Sequence, residues 1–140
     1  MAKQVLKTET PLNGYSKTIN KLKIEEYQFD NLISLAIPLN SERKCRLNFK
    51  KSLGEPMPHI EKSIINKSGV LGFRVGLDSL FVCNATNSAF SRKTTPLLKQ
   101  AFYITDQTGG WCGISVEGER VIEMLERICP LNLSIKVFAI

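Results

Sequence analysis

The sequence predicts an α+β fold: a single small domain with an antiparallel or mixed sheet and two to three helices. Short apolar runs recur along the chain between Pro, Gly, Asn and Asp, which is typical of strands joined by turns. Helical periodicity is confined to a few segments. Because the strands come in hairpins rather than alternating with helices, the pattern favours α+β over a doubly wound parallel sheet.

The first third of the chain contains a tail, two strands and a helix. Residues 1–20 are polar, basic and without periodicity, which predicts a flexible basic tail before a domain spanning 21–140. Leu22 and Ile24 indicate a first strand. The run Leu32–Ile37 is almost wholly apolar and ends at Pro38, which predicts a strand buried on both faces.

A helix is predicted from Asn40 or Ser41 to about Leu53. Its first turn carries an acid and its last turn carries two lysines, which suits the helix dipole, and Gly54 supplies a stop. Residues 56–68 are predicted to form a loop, since Pro56 and Pro58 cannot continue a helix.

The second half contains two pairs of strands. Val70–Val75 and Leu80–Cys83 flank a turn and predict a hairpin, and Pro96 is suited to the first turn of a short helix. Further strands are expected at Phe102–Thr105 and Trp111–Val116. The aromatic residues of these strands occupy core-like positions: Phe73, Phe81, Phe102, Tyr103 and Trp111.

The clearest element is a helix over 118–128 that Pro130 ends. Its apolar residues recur at helical spacing, which predicts one buried stripe. That stripe comprises Val121, Ile122, Leu125 and Ile128.

Charge limits the classes of partner. The formal net charge is +6, with an excess in the N-terminal tail and around Arg43–Arg46. Such a balance suits an acidic protein or a nucleic acid, although a basic run more often forms only the solvated face of a helix. No apolar stretch approaches the roughly 20 residues of a membrane-spanning helix, and no secretory leader is evident, so a cytoplasmic protein is expected.

We predict no catalytic, cofactor-binding or metal-binding residues in this chain. His59 is the only histidine, no two cysteines form a C-x-x-C pair, and no phosphate-binding glycine loop is present. Asp106 follows an apolar strand, where catalytic carboxylates often lie. The preferred interpretation is that it accepts hydrogen bonds within a turn.

Several residues of the C-terminal half carry a family resemblance. Thr105-Asp106 ends a strand, Trp111 begins an apolar strand, Gly118 leads a helix, and a Cys-Pro-Leu-Asn-Leu run ends it before Phe138. This order resembles the gamma subunit of heterotetrameric sarcosine oxidase, whose fold is related to the folate-binding domain of aminomethyltransferases. The residues that carry the resemblance are Thr105, Asp106, Trp111, Gly118, Cys129, Pro130, Leu131, Asn132, Leu133 and Phe138.

The resemblance implies a non-catalytic gamma-type subunit. The implied complex oxidatively demethylates sarcosine to glycine, and its FAD, FMN, NAD, tetrahydrofolate and zinc are held by the alpha, beta and delta subunits. Family members continue beyond the point that corresponds to Ile140, so a short domain with apolar surface covered by a partner is expected.

Two other functions stay open. One is a stand-alone folate-binding or aminomethyltransferase-like protein, which would bind tetrahydrofolate by itself. The other, less favoured, is a basic nucleic-acid-binding module, whose binding would weaken steeply with salt.

Overall fold

The computed structural model describes residues 9–84 and 95–130. These residues confirm the α+β class, with two antiparallel sheets and three helices. The strands are β1 (Ser16–Ile19), β2 (Leu22–Tyr27), β3 (Asn31–Ala36), β4 (Ser63–Ile65), β5 (Leu71–Arg74), β6 (Ser79–Asn84), β7 (Tyr103–Asp106) and β8 (Gly113–Glu117). The helices are α1 (Glu42–Leu53), a short α2 at 95–99, and α3 (Val121–Ile128).

The chain divides into two compact units. Unit 1 combines Met1–Gln28 with Cys112–Ile140, and unit 2 is Phe29–Trp111. Unit 1 contains a three-stranded sheet in the order β1-β2-β8 together with α3. Unit 2 contains a five-stranded sheet in the order β4-β5-β6-β3-β7 together with α1 and α2.

The β1–β2 hairpin of unit 1 lies partly in the predicted tail. Residues 16–19 form β1, so the prediction of a flexible tail is wrong for them. The turn that joins the strands consists of Asn20 and Lys21, with φ angles of 49° and 65°. Two successive positive φ angles define the turn that suits a tight hairpin, and Gly is the usual second residue. Because Lys21 stands where glycine is usual, the sequence does not indicate this turn.

The loop predicted over residues 56–68 contains a strand. Ser63–Ile65 forms β4 and pairs antiparallel with β5, so the prediction of a continuous loop is wrong. Three residues are too few to show alternation in the sequence, and the strand exists because β5 offers a free edge. In contrast, the strand predicted over Leu32–Ile37 forms as β3 between β6 and β7. Its burial on both faces holds for Leu32 and Ile33, whereas Ala36 is exposed.

The core of unit 2 lies between α1 and one face of the five-stranded sheet. The buried face of α1 carries Cys45, Phe49 and Leu53. A Cβ added at Gly72 of β5 would lie 3.1 Å from Cζ of Phe49, so the helix approaches the sheet closely at that point. The cluster comprises Ile33, Leu35, Cys45, Phe49, Leu53, Met57, Val70, Leu80, Val82, Leu98, Ala101 and Phe102.

The predicted end of α1 is confirmed. Gly54 follows the helix in the left-handed conformation, with φ 79°, and its N–H bonds to the Lys50 carbonyl. Glycine adopts this conformation without the steric penalty that a Cβ brings.

The predicted buried stripe of α3 is wrong. None of its residues is buried: Val121 and Leu125 are half-buried, whereas Ile122 and Ile128 are 40% and 73% exposed. Periodicity shows which side of a helix is apolar, but burial also needs a covering surface. Within the described residues, Met124 shares a groove with Leu22 of β2, so the inner face is rotated from the predicted one.

Two of the aromatic residues predicted to be core-like are exposed instead. Phe102 is buried, but Tyr103 and Trp111 are 71% and 55% exposed. Phe73 and Phe81 stack at 5.4 Å and pair across β5 and β6, and Trp111 contacts Phe81 edge-on at 5.4 Å. Strand residues alternate between two faces, so this aromatic row lies on the face of the sheet that α1 does not cover.

Candidate functional site

Side chains that could hold a metal do not converge in the described ranges. Within residues 9–84 and 95–130, no group of three or more His, Cys, Asp and Glu residues is placed to bind an ion. His59 is exposed and lies in a turn that Lys62 closes by donating to its carbonyl. None of the helices in the same ranges is long and apolar enough to traverse a bilayer.

The two cysteines of unit 2 are packing residues. Cys45 and Cys83 are buried, and burial raises the pKa of both thiols, that of Cys83 to about 11. The Cys45 thiol also donates a hydrogen bond to the Ala101 carbonyl at 3.1 Å. A thiol that stays protonated at neutral pH is a poor nucleophile and a poor metal ligand.

Asp106 performs the turn role that the sequence favours. Its Oδ1 accepts hydrogen bonds from the Thr108 N–H at 2.9 Å and from the Thr108 hydroxyl at 2.8 Å. These two bonds hold the pKa of the Asp106 carboxyl below its ordinary value, the backbone bond contributing most. Thr108 in turn accepts the Leu32 N–H at 3.0 Å, which ties the turn to β3.

The residues that carry the family resemblance fall in both units. Thr105 and Asp106 end β7, and Trp111 is the last residue of unit 2. In unit 1, Gly118 follows β8, and Cys129 and Pro130 follow α3. Leu131, Asn132, Leu133 and Phe138 lie outside the described residues.

Gly118 stands where the chain leaves no room for a side chain. Its φ is 141°, and a Cβ added there would lie 2.6 Å from the Lys21 carbonyl oxygen and 3.0 Å from Cδ2 of Leu22. Only glycine fits this conformation and this space. The residue therefore permits the β1–β2 turn to pass beside the start of α3.

A shallow groove of about 180 Å³ lies beside that turn. Arg120 donates to Glu123 at 2.7 and 2.5 Å, and Arg127 donates to the same carboxylate at 3.4 Å. Because its two arginines are paired with Glu123, the groove offers little free charge to an anion. Its lining residues are Asn20, Leu22, Arg120, Glu123, Met124 and Arg127.

A stronger candidate for function lies at one end of the five-stranded sheet. Four large apolar side chains are exposed there: Leu39 by 91%, Leu77 by 77%, Tyr103 by 71% and Val75 by 52%. We call these four residues the apolar end. Backbone pairing holds their segments together.

The pairing that assembles the apolar end is explicit. Ala36 pairs with both Ser79 and Tyr103, and Ile37 donates its N–H to the Asp78 carbonyl at 2.8 Å. The turn after β5, the connection from β3 to α1 and the start of β7 therefore lie side by side. Isolated exposed apolar residues are normal on a protein surface, but adjoining ones indicate contact with another molecule.

Arg74, a residue that sequence inspection misses, holds the backbone of the apolar end in place with its buried side chain. Its side chain is 4% exposed. Its Nε donates to the Gly76 carbonyl at 3.1 Å, Nη2 donates to the Leu77 carbonyl, and Nη1 donates to Glu42 at 3.2 Å. One guanidinium thus fixes both the turn that carries Leu77 and the first turn of α1.

A signal for Arg74 exists in the sequence. Every second residue of a strand lies on the same face, and in the predicted strand these are Val70, Gly72 and Arg74. The first two are buried. A charged residue continuing a buried series must find hydrogen-bond partners at the sheet end. The sequence does not show that Glu42 supplies one of them.

Comparison with solved structures shows a similarity in fold. No family model and no curated protein matches the sequence. A chain of the heterotetrameric sarcosine oxidase from Corynebacterium sp. U-96, solved in complex with pyrrole 2-carboxylate, has a similar structure with a TM-score of 0.69. The identity is 17%, and the similarity covers 86% of the present chain and 63% of the oxidase chain. The two chains share a fold, and the present chain spans less than two thirds of the other.

Proposed function

We propose that this chain is a non-catalytic, gamma-type subunit of a sarcosine oxidase-like complex. In this proposal the complex oxidatively demethylates sarcosine to glycine in the cytoplasm. Alpha, beta and delta subunits hold its FAD, FMN, NAD, tetrahydrofolate and zinc.

The observation that carries the proposal is the structural similarity over 86% of the chain to one chain of a heterotetrameric oxidase. A shared fold does not fix function by itself, so a property of the surface must add to it. The apolar end supplies that property, because exposed Leu39 and Leu77 suit a subunit interface better than contact with water.

Co-purification tests the proposal directly. The chain is produced with an affinity tag together with the oxidase subunits of the same organism, and the eluate is examined for flavin absorbance and for sarcosine-dependent formaldehyde release. We expect one complex that carries both. The isolated chain should show neither.

Two results would contradict the proposal. If the chain elutes alone while the flavin subunits assemble without it, the subunit role is wrong. If the isolated chain binds tetrahydrofolate in calorimetry, it is a folate-binding protein in its own right. A nucleic-acid-binding role would instead appear as binding to oligonucleotides that weakens steeply with salt.

A further inference from the structure

We propose that the apolar end docks a partner protein whose contact surface has an apolar centre and a rim of carboxylates. The inference rests on the proposed function and specifies the surface by which the chain joins its complex. It commits to an acidic partner protein and not to a second copy of this chain or to a nucleic acid.

The composition of the apolar end indicates a protein partner. Leu39, Val75 and Leu77 are aliphatic, and each exposes more than half of its surface. Single-stranded nucleic acids bind through aromatic stacking on several successive rings, and Tyr103 is the one ring among the four residues. Protein interfaces instead bury apolar side chains at the centre of the contact and leave charged residues at the rim.

Hydrogen bonds within the chain restrain two of the segments that form the apolar end. Arg74 fixes the Gly76 and Leu77 carbonyls, and Ile37 bonds to Asp78, so the turn that presents Leu77 has little freedom left to lose. Ser41 donates its hydroxyl to the Leu39 carbonyl at 3.3 Å, which restrains the second segment. A preorganised surface loses less entropy on association and therefore binds more tightly.

The charges beside the apolar end are mainly positive. Arg43 and Lys44 are exposed in the first turn of α1, close in the chain to Leu39, and Lys99 is exposed shortly before Tyr103. Asp78, in the turn beside Leu77, and Glu61, whose N–H donates to the Arg74 carbonyl, are exposed carboxylates. Lys62, next to Glu61, is a further exposed cation. Glu42 does not offset these cations, because its carboxylate is already shared by Arg46 and Arg74.

This charge favours an acidic partner over a second copy. A symmetric contact would bring two mainly positive rims together, and the chain as a whole carries a net charge of +6. Opposite charge at the rim of an interface accelerates association and selects the partner.

The test measures assembly of the purified chain with its oxidase subunits by surface plasmon resonance. The first variant combines Leu39→Ser with Leu77→Ser. Its matched control is Ile65→Ser, which removes a side chain exposed by 64% from the opposite end of the same sheet. The second variant combines Arg43→Glu with Lys44→Glu, where acids suit the first turn of the helix and leave folding intact.

We expect the Leu39→Ser, Leu77→Ser variant to bind about tenfold or more weakly, and the Ile65→Ser control to bind as the parent does. The charge-reversed variant should associate more slowly, and raising the salt concentration should weaken the parent more than this variant. Equal unfolding free energies of parent and variants exclude loss of folding as the cause.

Other outcomes overturn the inference in distinguishable ways. If the parent assembles and the leucine variant assembles equally well, the docking surface is elsewhere and the subunit role survives. If the parent does not bind the oxidase subunits at all, the inference and the proposed function both fail. A dimer of the isolated chain that the leucine variant abolishes would identify a second copy as the occupant and overturn the acidic partner.

Discussion

Arg74 shows how one residue can fix a surface that it does not itself present. A buried guanidinium is stable only when its donors find acceptors, and here two carbonyls and a carboxylate provide them. The side chain reaches from β5 to the first turn of α1, so secondary structure elements that are distant in sequence are held by one group.

Replacing Arg74 by Met tests this role. Met has similar length but leaves the Gly76 and Leu77 carbonyls and one side of Glu42 without a donor. We expect a loss of about 2–4 kcal/mol in the free energy of unfolding, measured in urea. Arg46→Met is the control, because its ion pair with Glu42 is 44% exposed on the arginine side and should contribute less than about 1 kcal/mol. Equal losses would contradict a special role for Arg74.

Gly118 offers a second test at the level of one residue. Gly118→Ala should cost about 2–5 kcal/mol, because a methyl group meets the Lys21 carbonyl at 2.6 Å and the backbone is in a region that disfavours a Cβ. Gly14→Ala in the same unit separates the two causes. Gly14 also has a positive φ, of 70°, but nothing lies within 4 Å of the added Cβ. It should lose only about 1 kcal/mol in the same urea titration.

At the scale of elements, α3 shows the limit of periodicity. The sequence places four apolar residues on one stripe, whereas in the structure only Val121 and Leu125 of that stripe are half-buried, and Ile128 is 73% exposed. The helix itself forms and ends at Ile128 as predicted, but it begins at Val121, three residues after the predicted start. Its orientation depends on β2 and the β1–β2 turn, which come from the other end of the chain.

The consequence for stability is a ranking within the stripe. A fully buried leucine loses about 2–5 kcal/mol when changed to alanine, and a half-buried one correspondingly less. Leu125→Ala should therefore cost about 1–2 kcal/mol and Ile128→Ala less than about 0.5 kcal/mol, measured by urea unfolding. Similar losses of unfolding free energy in the two variants would show that both side chains are buried, as the sequence predicts.

The sequence predicts those helices and strands that are determined by residues within or next to them. α1 combines periodicity, a suitable charge order and Gly54, and the β5–β6 hairpin has a turn with Gly and Asp between two apolar runs. β1 and β4 lack such causes. β4 has three residues and exists through pairing with β5, and β1 depends on a turn that uses Lys21 where glycine is usual.

The candidate surface was even less accessible to sequence reasoning. The sequence predicts a core-like position for Tyr103 and a turn position for Leu77. Only the pairing of Ala36 with Ser79 and Tyr103 brings their segments to one end. Arg74 could be suspected from its place in an alternating strand. Its partner Glu42 lies on another element, and no periodic pattern connects them.

At the scale of the whole molecule, the two ends of the chain belong to one compact unit and the middle of the chain forms the other. Unit 1 joins Met1–Gln28 to Cys112–Ile140, and unit 2 is the stretch between them. The pairing of β2 with β8 brings Tyr27 opposite Gly113. Bringing β2 and β8 together closes the long stretch of chain between them, which costs conformational entropy. The pairing of β1, β2 and β8 and the hydrogen bonds at the ends of these strands must offset that cost.

Glu26 on β2 makes several of those bonds. Its carboxylate accepts the Thr10 hydroxyl at 2.7 Å, the Leu12 N–H at 3.0 Å and the Gly14 N–H at 2.6 Å. Partial burial is the largest single influence on its pKa and raises it. The hydrogen bonds together outweigh burial, so the pKa of Glu26 lies below its ordinary value. One carboxylate thus organises the turn before β1.

Other carboxylates are shifted the same way for related reasons. Hydrogen bonds from Lys23 and Ser16 lower the pKa of Glu25, those from Arg46 and Arg74 lower that of Glu42, and the bond from Arg120 lowers that of Glu123. A carboxylate whose pKa is lower in the folded state stabilises the protein above its unfolded pKa. That contribution is lost as the pH falls through the folded pKa.

Acid should therefore unfold this protein by protonating a set of bonded carboxylates, and Glu26 allows the mechanism to be tested. The free energy of unfolding, measured in urea at intervals between about pH 6 and pH 3, should decline through the range below the ordinary carboxyl pKa of about 4.3. Glu26→Gln should be less stable than the parent at pH 6 and decline less steeply, so that the two curves converge in acid. Glu126→Gln, an exposed change on α3 that removes the same charge, is the control. Curves for Glu26→Gln that stay parallel to the parent would show that the bonds to the 10–14 turn contribute nothing to acid sensitivity, and the charge of the remaining carboxylates would then have to explain it.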